Sequence, residues 1–202
     1  LLFNKYGNRD NISLFLYDPA LHTFQYTQNI TPSTLSYPYP VSGPQFMQVE
    51  VDTENAAGLT LYTAVQTLEA NCLAKITLDP SFTHIQTQKV VNLSSGRVIT
   101  EIASLGEYLY IGLLNVFYEQ DTSEIVRIGN DLSLSSYEPF KIRIKGRVNH
   151  LSEFLLDSQP CIVAGISRED YKEEDVVRYY LYDPWKSRYY ETSLAADEQI
   201  NG

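Results

Sequence analysis

Apolar and aromatic residues fall in short runs closed by turn residues, and no segment sustains an i, i+3, i+4, i+7 apolar pattern over three helical turns. β-Branched and aromatic residues dominate these runs, which predicts an all-β chain. One stretch, ENAAGLTLYTAVQTLEANCLAKI (residues 54–76), could be read as helix from its alanines and leucines. It matches two other parts of the chain that read as strands, so strand is expected there as well.

That match is part of a repeat. Aligned on a turn aspartate, the chain carries FLYDPALHTF at Asp18, ITLDPSFTHI at Asp79, IGNDLSLSSY at Asp131 and YLYDPWKSRY at Asp183, spaced by 61, 52 and 52 residues. Six residues after each aspartate stands a large side chain: Phe24, Ile85, Tyr137 and Tyr189. Proline follows the aspartate in three copies and presets φ for a tight turn, while the carboxylate can accept from the turn's amides. Before the last three copies lie two further apolar runs, FMQVEVD, VITEIAS and LSEFLLD first, then LTLYTAV, YLYIGLL and CIVAGI. The unit is therefore four strands, a to d, in about fifty residues. If each unit is covered on both faces, Leu61, Ile76, Leu109, Ile111, Ile128, Ile162 and Ala164 should be buried.

Four-stranded repeats of this length are the mark of a β-propeller or partial propeller of antiparallel blades. The blades are expected at residues 31–92, 93–145 and 146–202, with residues 1–30 supplying the last two strands of another. The YDP turn followed by an aromatic resembles the kelch repeat, although kelch units carry paired glycines where this chain offers only Gly112 or Gly165. The segment EYLYIGLLNVFYEQD is similar to a strand of semaphorin-type propellers. Both resemblances imply the fold and no functional residue. The chain opens on LLFNKYGNRD rather than on a methionine, which reads as an internal or processed piece. Two strands and three blades leave a free edge, so further blades of the same polypeptide, or a second subunit, are expected to complete the ring.

Composition narrows the function classes. With 15 basic against 25 acidic residues the net charge is −10, which argues against phosphate contacts and hence against nucleic acid. No apolar run approaches the roughly 20 residues of a membrane span. The two cysteines, Cys72 and Cys161, sit inside apolar strand-like runs and read as buried thiols rather than a disulfide framework. Three sequons, at Asn11, Asn29 and Asn92, fall in expected loops and are candidate glycosylation sites. They favour extracellular or secretory exposure, a cell-surface glycoprotein, over a cytoplasmic location.

In a propeller the long connections share one face, and three stand out: residues 31–44 (TPSTLSYPYPVSGP), 118–124 and 167–176. On them lie the candidate binding residues Tyr37, Tyr39, Glu119, Asp121, Glu169, Asp170, Tyr171, Glu173 and Glu174. The acidic run of the last loop lacks the Asp/Asn spacing and central glycine of a calcium site. The histidines, His22, His84 and His150, are scattered over different copies, His22 and His84 in c-to-d turns and His150 ahead of an a strand, with no metal spacing and no nucleophile to serve. No phosphate loop, dinucleotide fingerprint or nucleophile elbow is present. No catalytic residue, metal or cofactor is therefore assigned, and the expectation is a non-enzymatic protein-binding scaffold working through the long-loop face. The alternative is a propeller that binds or hydrolyses glycans with carboxylates and tyrosines around a central pocket.

Overall fold

The computed structural model describes residues 11–38, 40–52, 58–68, 70–94, 97–115, 122–156, 159–167, 177–183 and 188–194. They divide into two compact units, residues 1–95 and residues 96–202. Among the described residues every long element is a strand, and no helix is long and apolar enough to cross a membrane.

The first unit opens with an antiparallel hairpin of β1 (Ile12–Asp18) and β2 (Thr23–Ile30). A four-stranded antiparallel sheet follows, in which β3 (Gln45–Asp52), β4 (Leu59–Gln66), β5 (Asn71–Leu78) and β6 (Ile85–Ser94) lie side by side in chain order. The segment that could have been helix is thus β4 and β5, paired from Leu59↔Leu78 to Gln66↔Asn71. The strand reading holds, and the periodicity is blurred there because both faces of β4 are covered: every residue from Thr60 to Val65 is buried, so the strand reads as a continuous apolar run. The buried Thr63 hydroxyl is satisfied within the sheet, its Oγ1 donating to the Gln48 carbonyl at 2.7 Å. The core of this unit joins Ile12, Leu14 and Ile30 of the hairpin to Leu61, Val65, Ala74, Ile76 and Leu78 of the sheet. Cys72 lies in the same core as a buried thiol.

The second unit holds two sheets of the same kind. One runs β7 (Arg97–Leu105), β8 (Tyr108–Asn115), β9 (Thr122–Gly129) and β10 (Glu138–Lys145); the other runs β11 (Arg147–Leu156), β12 (Gln159–Ser167), β13 (Val177–Asp183) and β14 (Arg188–Leu194). Strand β11 lies against the first of these sheets, with Val148 and Leu151 in one core with Ala103, Tyr110 and Ile125. The approach is closest at Gly112, where a Cβ would stand 2.8 Å from Thr100 Oγ1 and 3.0 Å from a Val148 methyl. Ser123 Oγ stitches the turn between the sheets, donating to the Gly146 carbonyl at 2.6 Å and accepting from the Val148 amide at 3.2 Å.

All seven residues expected in the core, Leu61, Ile76, Leu109, Ile111, Ile128, Ile162 and Ala164, are buried, none more than 1% exposed. Two sequons differ from expectation. Asn29 lies within β2 and Asn92 within β6, both exposed, while Asn11 directly precedes β1. Polar residues on the outermost strand of each unit mimic loop composition, because one edge of that strand faces water. His150 likewise stands inside β11 rather than ahead of it, exposed.

Candidate functional site

The aspartate turns are built by the carboxylates themselves. Asp18 Oδ1 accepts from the amides of Ala20 and Leu21 at 2.9 and 3.2 Å. Asp131 Oδ1 accepts from the Ser133 amide at 2.9 Å. Asp79 does most, with Oδ1 accepting from the Thr83 and His84 amides at 2.7 and 2.6 Å and Oδ2 accepting from the hydroxyl and amide of Ser81. A left-handed residue closes each turn, His22, Phe82 and Leu132, at φ of 51°, 58° and 55°. At Asp131, where proline is missing, the connection instead winds through a 3-10 turn at Leu134–Ser136, and β10 begins only at Glu138, so Tyr137 stays outside the strand. The turn of Asp183 lies outside the described residues, though Asp183 pairs with Arg188 across the hairpin.

The Ser81 hydroxyl and the His84 amide, joined by the amides of Thr83 and Ser81 and opposed by desolvation, hold the Asp79 carboxyl well below the usual carboxylate range. A depressed folded pKa contributes stability that is present above the unfolded value of about 3.9 and lost as pH falls through the folded one. Asp79→Asn is therefore expected to flatten the acid limb of the stability profile below about pH 4 and to speed amide exchange at Thr83 and His84. Unchanged exchange at both amides would show that the carboxylate does not hold the turn. This is a structural role, with no substrate-facing chemistry.

The opposite end of the first sheet carries the long connection, residues 31–44. A 3-10 turn spans Pro32–Thr34, Pro32 and Leu35 are buried, and the Tyr37 hydroxyl donates to the Pro32 carbonyl at 2.8 Å. The Leu68 amide donates to the Ser42 carbonyl at 3.1 Å, tying this loop to the β4–β5 turn. The loop itself forms a groove of about 590 Å³ lined by Ser33, Tyr37, Pro38, Pro40, Val41 and Pro44. Burial, helped by the Cys72 thiol, pushes the Tyr37 phenol up to about 12. It stays a neutral donor, already used by Pro32. The groove offers apolar surface and one serine hydroxyl, and no acid, base or thiol lines it. It can hold an apolar group but cannot move a proton.

Of the residues expected to bind a partner, Tyr37 alone falls among those described. Tyr39, Glu119, Asp121, Glu169, Asp170, Tyr171, Glu173 and Glu174 lie outside them. The groove was legible only as a proline-rich loop, since Val41 and Ser33 carry no signal of their own. Among the described residues no three His, Cys, Asp or Glu side chains come together as a metal set. His22 is exposed and shares a 2.9 Å hydrogen bond with the Tyr17 hydroxyl; His84 is exposed in the Asp79 turn; His150 is exposed on β11 of the other unit.

No family model and no curated protein matches the chain. Among solved structures, cobalt-substituted apocarotenoid oxygenase of Synechocystis is similar with a TM-score of 0.55 at 12% identity, over 93% of this chain and 47% of that one. A glutamate-to-aspartate mutant of the same oxygenase gives 0.54 at 11% identity, over 93% and 45%. The chain thus spans about half the length of the structures it matches. Those structures are of an enzyme, which overturns the expectation of a non-enzymatic scaffold and leaves its glycan-directed alternative unsupported. The cobalt of that oxygenase raises the question of a metal centre here, and the described residues do not fit one: no three of their histidine, cysteine, aspartate or glutamate side chains come together as a set. At this identity the likeness carries the fold, and the chain is an all-β array of four-stranded antiparallel blades of the β-propeller type.

Proposed function

We propose that this chain is the blade framework of a propeller oxygenase acting on an apolar, apocarotenoid-like substrate, with its metal donors supplied from outside the residues described here. The observation that carries the reading is the likeness to the Synechocystis enzyme over 93% of the chain. The excess of acidic residues disfavours nucleic acid as the alternative polymeric substrate. The groove at residues 33–44 is consistent in chemistry, since a proline and tyrosine wall suits an apolar ligand and no charged side chain there would need to be desolvated. No step of a reaction is assigned to any residue of this chain.

The test is oxygen-dependent bleaching of an apocarotenoid by the whole protein supplied with divalent transition-metal ions, followed by visible absorbance, with an anaerobic control. Absence of bleaching together with absence of bound metal would overturn the reading. His22→Ala, His84→Ala and His150→Ala are each expected to leave metal content and turnover unchanged. A stoichiometric loss of metal in any of the three would move the donor set into this chain.

A further inference from the structure

Residues 19–49 contain no aspartate, glutamate, lysine or arginine, in a chain that is 20% charged and carries a net charge of −10. The groove of residues 33–44 lies within that uncharged stretch. Its Tyr37 hydroxyl donates to the Pro32 carbonyl, and its one serine, Ser33, shares a 3.1 Å hydrogen bond with the Thr31 hydroxyl. What the groove offers a ligand is therefore hydrocarbon: proline rings, the Tyr37 ring and the Val41 methyls. Proline fixes φ at Pro38, Pro40 and Pro44, so the wall is set before any ligand arrives.

A second connection carries another apolar group to the same place. The β4–β5 turn is closed by the Thr67 amide donating to the Ala70 carbonyl at 2.9 Å, and again by the Thr67 hydroxyl, which donates to that carbonyl at 2.8 Å and accepts from the Ala70 amide at 2.9 Å. The Leu68 amide donates to the Ser42 carbonyl, and the Leu68 Cγ lies 4.0 Å from the point where a Cβ on Gly43 would stand. Gly43, between the groove residues Val41 and Pro44, has a φ of 55°, a left-handed conformation that glycine adopts without strain. Leu68 is nonetheless 84% exposed. A leucine fixed in this way beside an apolar groove, with its side chain in water, marks a contact surface rather than a scattered surface residue.

We propose that the groove and Leu68 together bind the uncharged hydrocarbon end of a small-molecule ligand, with Leu68 covering it from the side of the β4–β5 turn. The assignment rests on the apolar substrate proposed above and names where its hydrocarbon end sits. Charge selects the ligand: residues 19–49 supply no lysine or arginine to pair with a carboxylate or phosphate, and the acidic excess of the chain repels anions. Size agrees, since about 590 Å³ falls within the roughly 300–1,000 Å³ of small-molecule sites.

The experiment measures binding without turnover. All-trans-retinol is titrated into the whole protein, freed of metal by a chelator and kept anaerobic, and its fluorescence is followed as it leaves water. All-trans-retinoic acid, the same skeleton ending in a carboxylate, is expected to bind more weakly by about tenfold or more. Leu68→Ser and Val41→Asp are each expected to weaken retinol binding by about tenfold, in keeping with the burial of part of one aliphatic side chain. Leu68→Ser should do so at an unchanged urea midpoint, because the side chain it removes is in solvent. Phe24→Ser, which alters the exposed rings of the β1–β2 hairpin instead, should leave the affinity unchanged. Retinol that does not bind, that binds no tighter than retinoic acid, that binds the Leu68→Ser and Val41→Asp chains as tightly as the parent, or that is released by Phe24→Ser would overturn the proposal. The site and the oxygenase reading fail separately. Retinol binding that depends on Leu68, in a protein that bleaches no apocarotenoid, keeps the site and removes the oxygenase; bleaching with retinol binding indifferent to Leu68 does the reverse.

Discussion

Leu61→Ala is expected to lower the unfolding free energy by about 2–5 kcal/mol, a large share of the roughly 5–15 kcal/mol that holds a domain folded. Leu61 is fully buried, and its strand places it between Val51 of β3 and Ile76 of β5. Below it the hairpin contributes Ile12, Leu14 and Ile30 to the same core. Removing the isobutyl group loses its transfer energy, and the hole closes poorly because its walls are strands fixed in ladders on both sides. Urea unfolding should show a lower midpoint at unchanged slope. Leu16→Ala is the internal control, since Leu16 is 36% exposed and its loss should cost within about 0.5 kcal/mol. Equal effects of the two substitutions would mean that the hairpin and sheet do not share this core.

The second large effect is expected at Gly112, where valine should destabilise the second unit by about 1–3 kcal/mol or more through overpacking. Valine ordinarily favours a strand interior, on a scale that spans about 1 kcal/mol, so propensity alone predicts a gain. The geometry reverses the sign. A Cβ at this position would meet Thr100 Oγ1 at 2.8 Å and Val148 side-chain atoms at 3.0 and 3.1 Å, and two further methyls have no room at all. Thr100 Oγ1 also donates to the Gly112 carbonyl at 3.3 Å, so a rotation away from the new side chain breaks that bond. Val148→Ala should recover part of the loss in the double mutant, because the clash is shared between the two positions. A Gly112→Val chain as stable as the parent would show that β11 does not pack this closely on β8.

Several features were legible in the sequence because they are decided locally. Strand identity follows from β-branched and aromatic content and from the repeat, and it held even over residues 59–78, where alanines invite a helix. The turns at Asp18 and Asp79 follow from Asp-Pro chemistry, and the structure shows both carboxylates accepting from the turn amides. The core positions from Leu61 to Ala164 follow from the place of their strands in the repeat, where inner strands are covered on both faces. Where a local cue was missing, the reading loosened: without proline, the Asp131 connection lengthened into a 3-10 turn and left Tyr137 outside β10. Asn29 and Asn92 read as loop residues because outer strands are polar on their exposed side.

The functional expectation failed for a different reason. Absence of a motif within one stretch says little when an active site is assembled from residues on several blades, and the oxygenase likeness became visible only from the arrangement of the strands. Periodicity by itself determined that this chain is a series of four-stranded antiparallel units hinged at aspartate turns, because each strand and turn is specified by neighbours a few residues away. Tertiary structure alone decided that Gly112 is a point of contact, that Asp79 gathers the Ser81 hydroxyl and three backbone amides, and that the β1–β2 hairpin buries Ile12, Leu14 and Ile30 while Tyr17, Phe24 and Tyr26 stay about half exposed. Those properties depend on which surfaces meet, and the alternation of residues along a strand marks both faces of a hairpin as apolar without saying which of them has a neighbour.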